Sequence, residues 1–159
     1  MKQFELRFQI RGHIEYVLED VIATLDCGYA SHGNFQILTV WVEADNAVDA
    51  AFDTVAKLSG LGVGVARLLE DFVTRQDIAE RASVSREAVA DWVRQGRQAE
   101  EVPAFPDVYN IVGGGIWLWA DVNEWLEHLG KGDGMGHPTA MDYAKINAAV
   151  QFDRVPPVG

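Results

Sequence analysis

TRQDIAERASVSREAVADWVRQG, Thr74–Gly96, is the stretch that decides how this 159-residue chain is read. Two short helices joined by a tight turn need apolar residues where they pack and a small one where they cross. Ile78 and Ala79 fall on the first helix, Val84 follows the turn, and Val89, Trp92 and Val93 line the second. Thr74 is placed to cap the first helix with Asp77 three residues on, Ser85 to cap the second, and Gly96 to end it. Ser83 holds the turn position usually given to glycine, where a positive φ is required; for serine this costs about 1 kcal/mol. The spacing predicts a helix-turn-helix.

With Val89, Trp92 and Val93 inward, the second helix, expected over residues 85–95, exposes Ser85, Arg86, Glu87, Ala90, Asp91 and Arg94. Such a face suits the major groove of double-stranded DNA, Arg86 pairing with a guanine and Glu87 accepting from a cytosine amine. Arg94 and Arg97 suit phosphates, and Arg75 is a further expected DNA contact. Downstream, Phe105-Pro106-Asp107 leads to Val108–Val112, then Gly113-Gly114-Gly115, then Ile116–Trp119. This predicts a two-stranded hairpin turned by glycines, a wing that would bring Asn110, Gly113, Gly114 and Gly115 to the duplex. No Lys-Ser/Thr pair and no helix follows the glycines, so they do not form a phosphate cradle. Ala120–Glu127 is expected to close the domain with Val122, Trp125 and Leu126 inward. Trp92, Trp117, Trp119 and Trp125 are expected in the core rather than stacked on bases.

Working outward toward the N-terminus, Phe4, Leu6, Phe8 and Ile10 alternate with charged and polar residues, the two-residue period of a half-buried strand. Ile14, Val17, Leu18, Val21, Ile22 and Leu25 then share one helical face. Gly28–Gly33 reads as strand and turn, Phe35–Glu43 as a buried strand, and Asn46 with Asp49 as the start of a helix to about Leu58, with Val48, Ala51, Phe52 and Val55 inward. Val63–Leu69 is the last strand. The order strand, helix, strand, strand, helix, strand predicts an α+β, ferredoxin-like βαββαβ domain over residues 1–72, serving dimerisation or small-ligand sensing. The winged helix-turn-helix domain is expected over 73–129 and a flexible Gly-rich linker over 130–138. A short helix with a loose tail, residues 139–159, has Tyr143, Ile146 and Val150 on one side.

Asp77-Ile78-Ala79-Glu80, Val84-Ser85, Phe105-Pro106, the glycine turn and Trp117-Leu118-Trp119-Ala120-Asp121-Val122 together resemble the excisionase and mercury-resistance-regulator class of winged helices, especially the small DNA-binding regulators common in actinobacteria. The resemblance spans about residues 73–150 and takes in a tail helix at Ala144-Lys145-Ile146-Asn147-Ala148-Ala149. It implies sequence-specific DNA binding through the second helix and the wing, and transcriptional regulation.

Charge sets a counterweight. The chain carries a net −11, and phosphate affinity comes from Lys and Arg displacing counterions. Residues 1–72 hold five basic and eleven acidic groups and residues 73–129 five and ten, yet Arg75–Arg97 holds five Arg against four acids. A local positive window in acidic surroundings leaves two readings open: a DNA reader, expected as a homodimer because a second half-site multiplies affinity, or an acidic module that uses the same helices for a protein partner. No membrane segment or secretory signal is evident at the N-terminus, so a cytoplasmic protein is expected. Cys27, the single cysteine, rules out an intrachain disulfide and a multi-cysteine zinc site, and is expected in the core. His13, His32, His128 and His137 show no metal-ligand spacing. Neither cofactor, metal nor catalysis is expected.

Overall fold

Alternating apolar and polar side chains put one face of the first strand, β1 (Lys2–Arg11), into a core and leave the other out. The computed structural model describes residues 1–95 and 102–157. The chain divides into two units, one of Met1–Glu70 with Met135–Gly159 and one of Asp71–Gly134.

In the first unit β1 is followed by α1 (Leu18–Thr24), β2 (Cys27–His32), β3 (Phe35–Ala44), α2 (Ala47–Gly60) and β4 (Gly64–Leu68). The sheet runs in the order β2-β3-β1-β4 with every neighbouring pair antiparallel. Register puts Leu6 opposite Val40, Phe8 opposite Leu38 and Leu68, and Ile10 opposite Val65, so one face is a continuous aliphatic and aromatic layer. Gln36 also lies on this face and is buried; its amide donates to the Gly12 carbonyl and accepts from the Tyr29 hydroxyl at 2.8 Å. A buried amide is tolerated when both its ends are bonded.

Three expectations for this unit shift. The first helix begins a turn later than expected, at Leu18, and Ile22 is exposed while Ile14 and Val21 are buried. In α2 the fully buried residues are Ala47, Ala50, Ala51, Thr54 and Leu58, whereas Val48, Phe52 and Val55 are only half-buried. Small residues let α2 lie close on the sheet, and α6 (Ala140–Gln151) packs against α2. Most consequential, the expected C-terminal helix, α6, belongs to this unit rather than standing apart beyond a linker. It packs on β4 and α2, burying Tyr143, Ile146 and Val150. Its Asn147 amide accepts from the Leu68 amide at 2.7 Å and donates to the Leu68 carbonyl at 3.0 Å, giving the edge strand the pair of bonds another strand would supply. The terminal helix is therefore part of the unit expected to end at residue 72.

Nor is 130–138 a free linker. Gly136 donates to the Gln3 carbonyl at 2.9 Å and pairs beside Phe4, and a Cβ at Gly136 would stand 2.5 Å from the Phe4 ring. Glycine is required there by close approach rather than by flexibility. At the other end the Asp133 amide donates to the buried Asn123 side chain at 2.9 Å, and the Trp119 indole donates to the Asp133 carboxylate at 3.0 Å.

The second unit contains β5 (Phe72–Val73), α3 (Arg75–Ala82), α4 (Arg86–Gln95), a short 3-10 turn (Val112–Gly114), β6 (Trp117–Leu118) and α5 (Trp119–Glu127). Its core is aromatic: Trp92 lies 5.1 Å from Trp125, and Phe105 lies 4.9 Å from Trp125 and 5.9 Å from Trp117 between ring centroids. Val73, Ile78, Val89, Val122 and Leu126 complete it. Among the described residues no helix is long and apolar enough to cross a membrane.

Candidate nucleic-acid interface

The first helix of the pair is built as its sequence requires. The Thr74 hydroxyl accepts from the Asp77 amide at 3.2 Å, and the Asp77 carboxylate accepts from the Thr74 amide at 2.9 Å, closing a reciprocal cap on α3. The chain then turns through Ser83 at φ 56°, ψ 45°, the left-handed conformation that the Ser at a glycine position implies. The Ser85 hydroxyl accepts from the Ala88 amide at 3.1 Å, so Ser85 is occupied in capping α4. Because Val89 and Trp92 are buried, the outward face of α4 is led by Ser85, Arg86 and Glu87, with half-buried Ala90 behind them and exposed Arg94 one turn further on. Gly96 and Arg97 lie outside the described residues.

The cations differ in what holds them. Arg86 has no ion-pair or hydrogen-bond partner among the described residues and projects from the first turn of α4. Arg94 forms an ion pair with Asp91, three residues back on the same helix, so its charge is partly offset within α4. The Arg75 guanidinium lies 5.8 Å from the Trp117 ring centroid at the start of α3. Arg81, also inside the positive window, is a structural residue: its guanidinium grips Asp71 with bonds of 2.7 and 3.0 Å and lies 4.9 Å from the Trp119 ring.

The wing departs from expectation. Val108–Val112 and Ile116–Trp119 do not form a two-stranded hairpin. Asn110 and Ile116 make one bridge, with the Ile116 amide donating to the Asn110 carbonyl at 2.8 Å. Trp117 and Leu118 pair instead with Val73 and Phe72, and Trp119 already begins α5. The physical reason is burial. Trp117, Leu118 and Trp119 are among the most buried side chains of the unit, and pairing with β5 keeps them in the core, whereas a projecting hairpin would expose alternate ones. What projects is a tight loop. Asn110 accepts from the Val112 amide at 3.2 Å through its side chain, and Gly113, Gly114 and Gly115 follow with φ of 63°, 89° and 117°. Gly113 and Gly114 are exposed, whereas Gly115 is buried against Val108 and Trp117 and serves the turn.

The loop tip carries side chains that the strand reading did not single out. Ile111 is 81% exposed, Val112 65% and Tyr109 55%. Three glycines directly after Ile111-Val112 are a sequence signal for a turn that holds apolar residues outward. The Asp91–Arg94 pair was equally accessible to helical i, i+3 spacing.

At the start of α5, partial burial and the neighbouring Glu124 charge both hold the Asp121 carboxyl above the ordinary aspartate range, burial contributing most. Cys27, half-buried in β2, has its thiol pushed up by burial and by Asp26, which disfavours the reactive thiolate. No family model matches the chain, and no curated protein or solved structure does either.

Proposed function

We propose that the second unit is a winged helix-turn-helix that reads double-stranded DNA in a cytoplasmic transcriptional regulator, with α4 in the major groove and the 109–115 loop as a reduced wing. The first unit, with its βαββαβ order, serves on this reading as a ferredoxin-like platform for a homodimer. One observation carries the proposal. The capped α3, the left-handed Ser83 and the Ser85-capped α4 leave Arg86, without a partner among the described residues, and Glu87 at the exposed start of a helix whose opposite face is anchored by Val89 and Trp92. A recognition helix contacts base edges through its N-terminal residues.

Arg86→Ala leaves folding intact, weakens binding to a selected site by about 1 to 3 kcal/mol and relaxes base preference at one position. Asp91→Asn removes a negative charge and frees Arg94, so it tightens binding to all sequences alike and steepens the salt dependence by up to about one unit of slope. Selection of genomic fragments by the purified protein followed by anisotropy titration at several salt concentrations measures both. Light scattering with and without the selected DNA tests the homodimer.

A protein partner is the second reading, and the loop favours it. Residues 102–130 include no Lys or Arg, and the exposed tip is Ile111 and Val112 rather than a cation. If neither the parent nor Asp91→Asn binds any selected DNA at low salt, the protein-partner reading takes its place.

A further inference from the structure

The first unit contains a cavity of about 640 Å³ where the C-terminal end of α2, the start of β4 and the segment following α6 meet. Val55, Val63, Val150 and Pro156 give it apolar walls. Two oppositely charged residues, Arg11 at the end of β1 and Asp153 after α6, also line it. Neither side chain has a hydrogen-bond or ion-pair partner among the described residues. Arg11 stands opposite Gly64 in the sheet, at the start of β4. Asp153 is held at φ 52°, a left-handed conformation that glycine adopts without strain. Aspartate and asparagine enter this region more readily than other side chains, so the turn places a carboxylate on the cavity wall with little strain.

We propose that this cavity binds a small apolar zwitterion, an apolar amino acid or short peptide, whose carboxylate meets Arg11, whose ammonium meets Asp153 and whose hydrocarbon body lies on the valines and Pro156. The walls mix apolar side chains with polar ones, among them Arg11, Ser59 and Asp153, that can fix a ligand's orientation. Arg11 and Asp153 are both exposed, so their charges are hydrated when the cavity is empty; a zwitterion exchanges that water for charge-assisted bonds at both ends, whereas a singly charged ligand makes one. The site belongs to the first unit alone, so it stands whether or not the second unit reads DNA.

Calorimetric titration of the full chain with L-leucine, L-phenylalanine and the dipeptide Leu-Leu tests the site, with 4-methylpentanoate and 3-methylbutylamine as probes that each keep one charge. At least one zwitterion binds saturably and more tightly than either singly charged probe; free amino acid against dipeptide tells which length fits. Arg11→Gln weakens the zwitterion at least about tenfold, since it removes a charged bond. Asp153→Asn, which tolerates a positive φ, weakens the zwitterion but not 4-methylpentanoate. Val55→Trp fills the cavity and abolishes binding; if that variant does not fold, the two charge variants decide alone. Absence of binding by every zwitterion up to about 10 mM, or binding unchanged in both Arg11→Gln and Asp153→Asn, overturns the proposal.

Discussion

The two units solve the same problem of burial with different materials. The first distributes its core along long strands, with Phe4, Leu6, Phe8, Ile10, Leu38 and Val40 each buried beside equivalents. In the second, two strands of two residues each supply little, and the core is concentrated in Trp92, Phe105, Trp117 and Trp125. A unit of short elements has few backbone ladders to hold it, so large side chains must bridge between helices, and each carries a larger share of the total. Four of the chain's five tryptophans lie in this unit, which makes their fluorescence a report on it.

The strongest test of that contrast is truncation of one core residue in each unit. Trp92→Ala costs about 3 to 5 kcal/mol and, in a unit this small, collapses the environment of the remaining tryptophans, read by emission shift and near-ultraviolet circular dichroism. Leu6→Ala costs about 2 to 5 kcal/mol by denaturant titration yet leaves that emission in place. If Leu6→Ala shifts the emission as fully as Trp92→Ala, the two cores act as one cooperative body and the contrast fails.

A smaller effect is expected where α6 completes the first unit. Asn147→Leu keeps the helix but leaves the Leu68 amide and carbonyl without their partner, costing about 1 to 3 kcal/mol, with faster hydrogen exchange at Leu68. An unchanged exchange rate there would return α6 to the status of an appendage. Smaller again, Ser83→Gly relieves the left-handed turn between α3 and α4 and raises the urea midpoint by the equivalent of about 0.5 to 1 kcal/mol, part of the gain being offset by the freer unfolded chain. A loss of stability would mean that the Ser83 side chain contributes more than its backbone costs.

The smallest effect is a titration. Glu124→Gln lowers the Asp121 pKa, as read by carboxyl carbon chemical shifts, without returning it to the ordinary range, because burial is the larger cause. The sign for stability follows. A carboxyl whose pKa is raised by folding binds its proton more readily in the folded state, so its contribution favours the fold at acid pH and is lost as pH rises through the folded value. Asp121→Asn flattens that loss; a steeper decline in this variant would reverse the assignment.

Local chemistry wrote much of this molecule into its sequence. Period-two alternation marked β1, the Thr74/Asp77 and Asn46/Asp49 spacings marked the starts of α3 and α2, and a serine in a glycine position marked the left-handed turn at residue 83, because each depends on neighbours within four residues. The exposed start of α4 was legible for the same reason, once Val89 and Trp92 identified the buried side. What lay beyond reach depends on partners far along the chain. Alternating glycines look like a linker until Gly136 is seen against Phe4, and an amphipathic C-terminal helix has no owner until Asn147 meets Leu68, 79 residues away. Trp117-Leu118 reads as half of a hairpin until Phe72-Val73 claims it. Likewise, only folding places Arg11 and Asp153 around one cavity. Capping, turn and periodicity energies are local and therefore belong to the sequence; which surface covers an apolar face, and which charges are left to share a cavity, is decided by the whole chain minimising its exposed area at once.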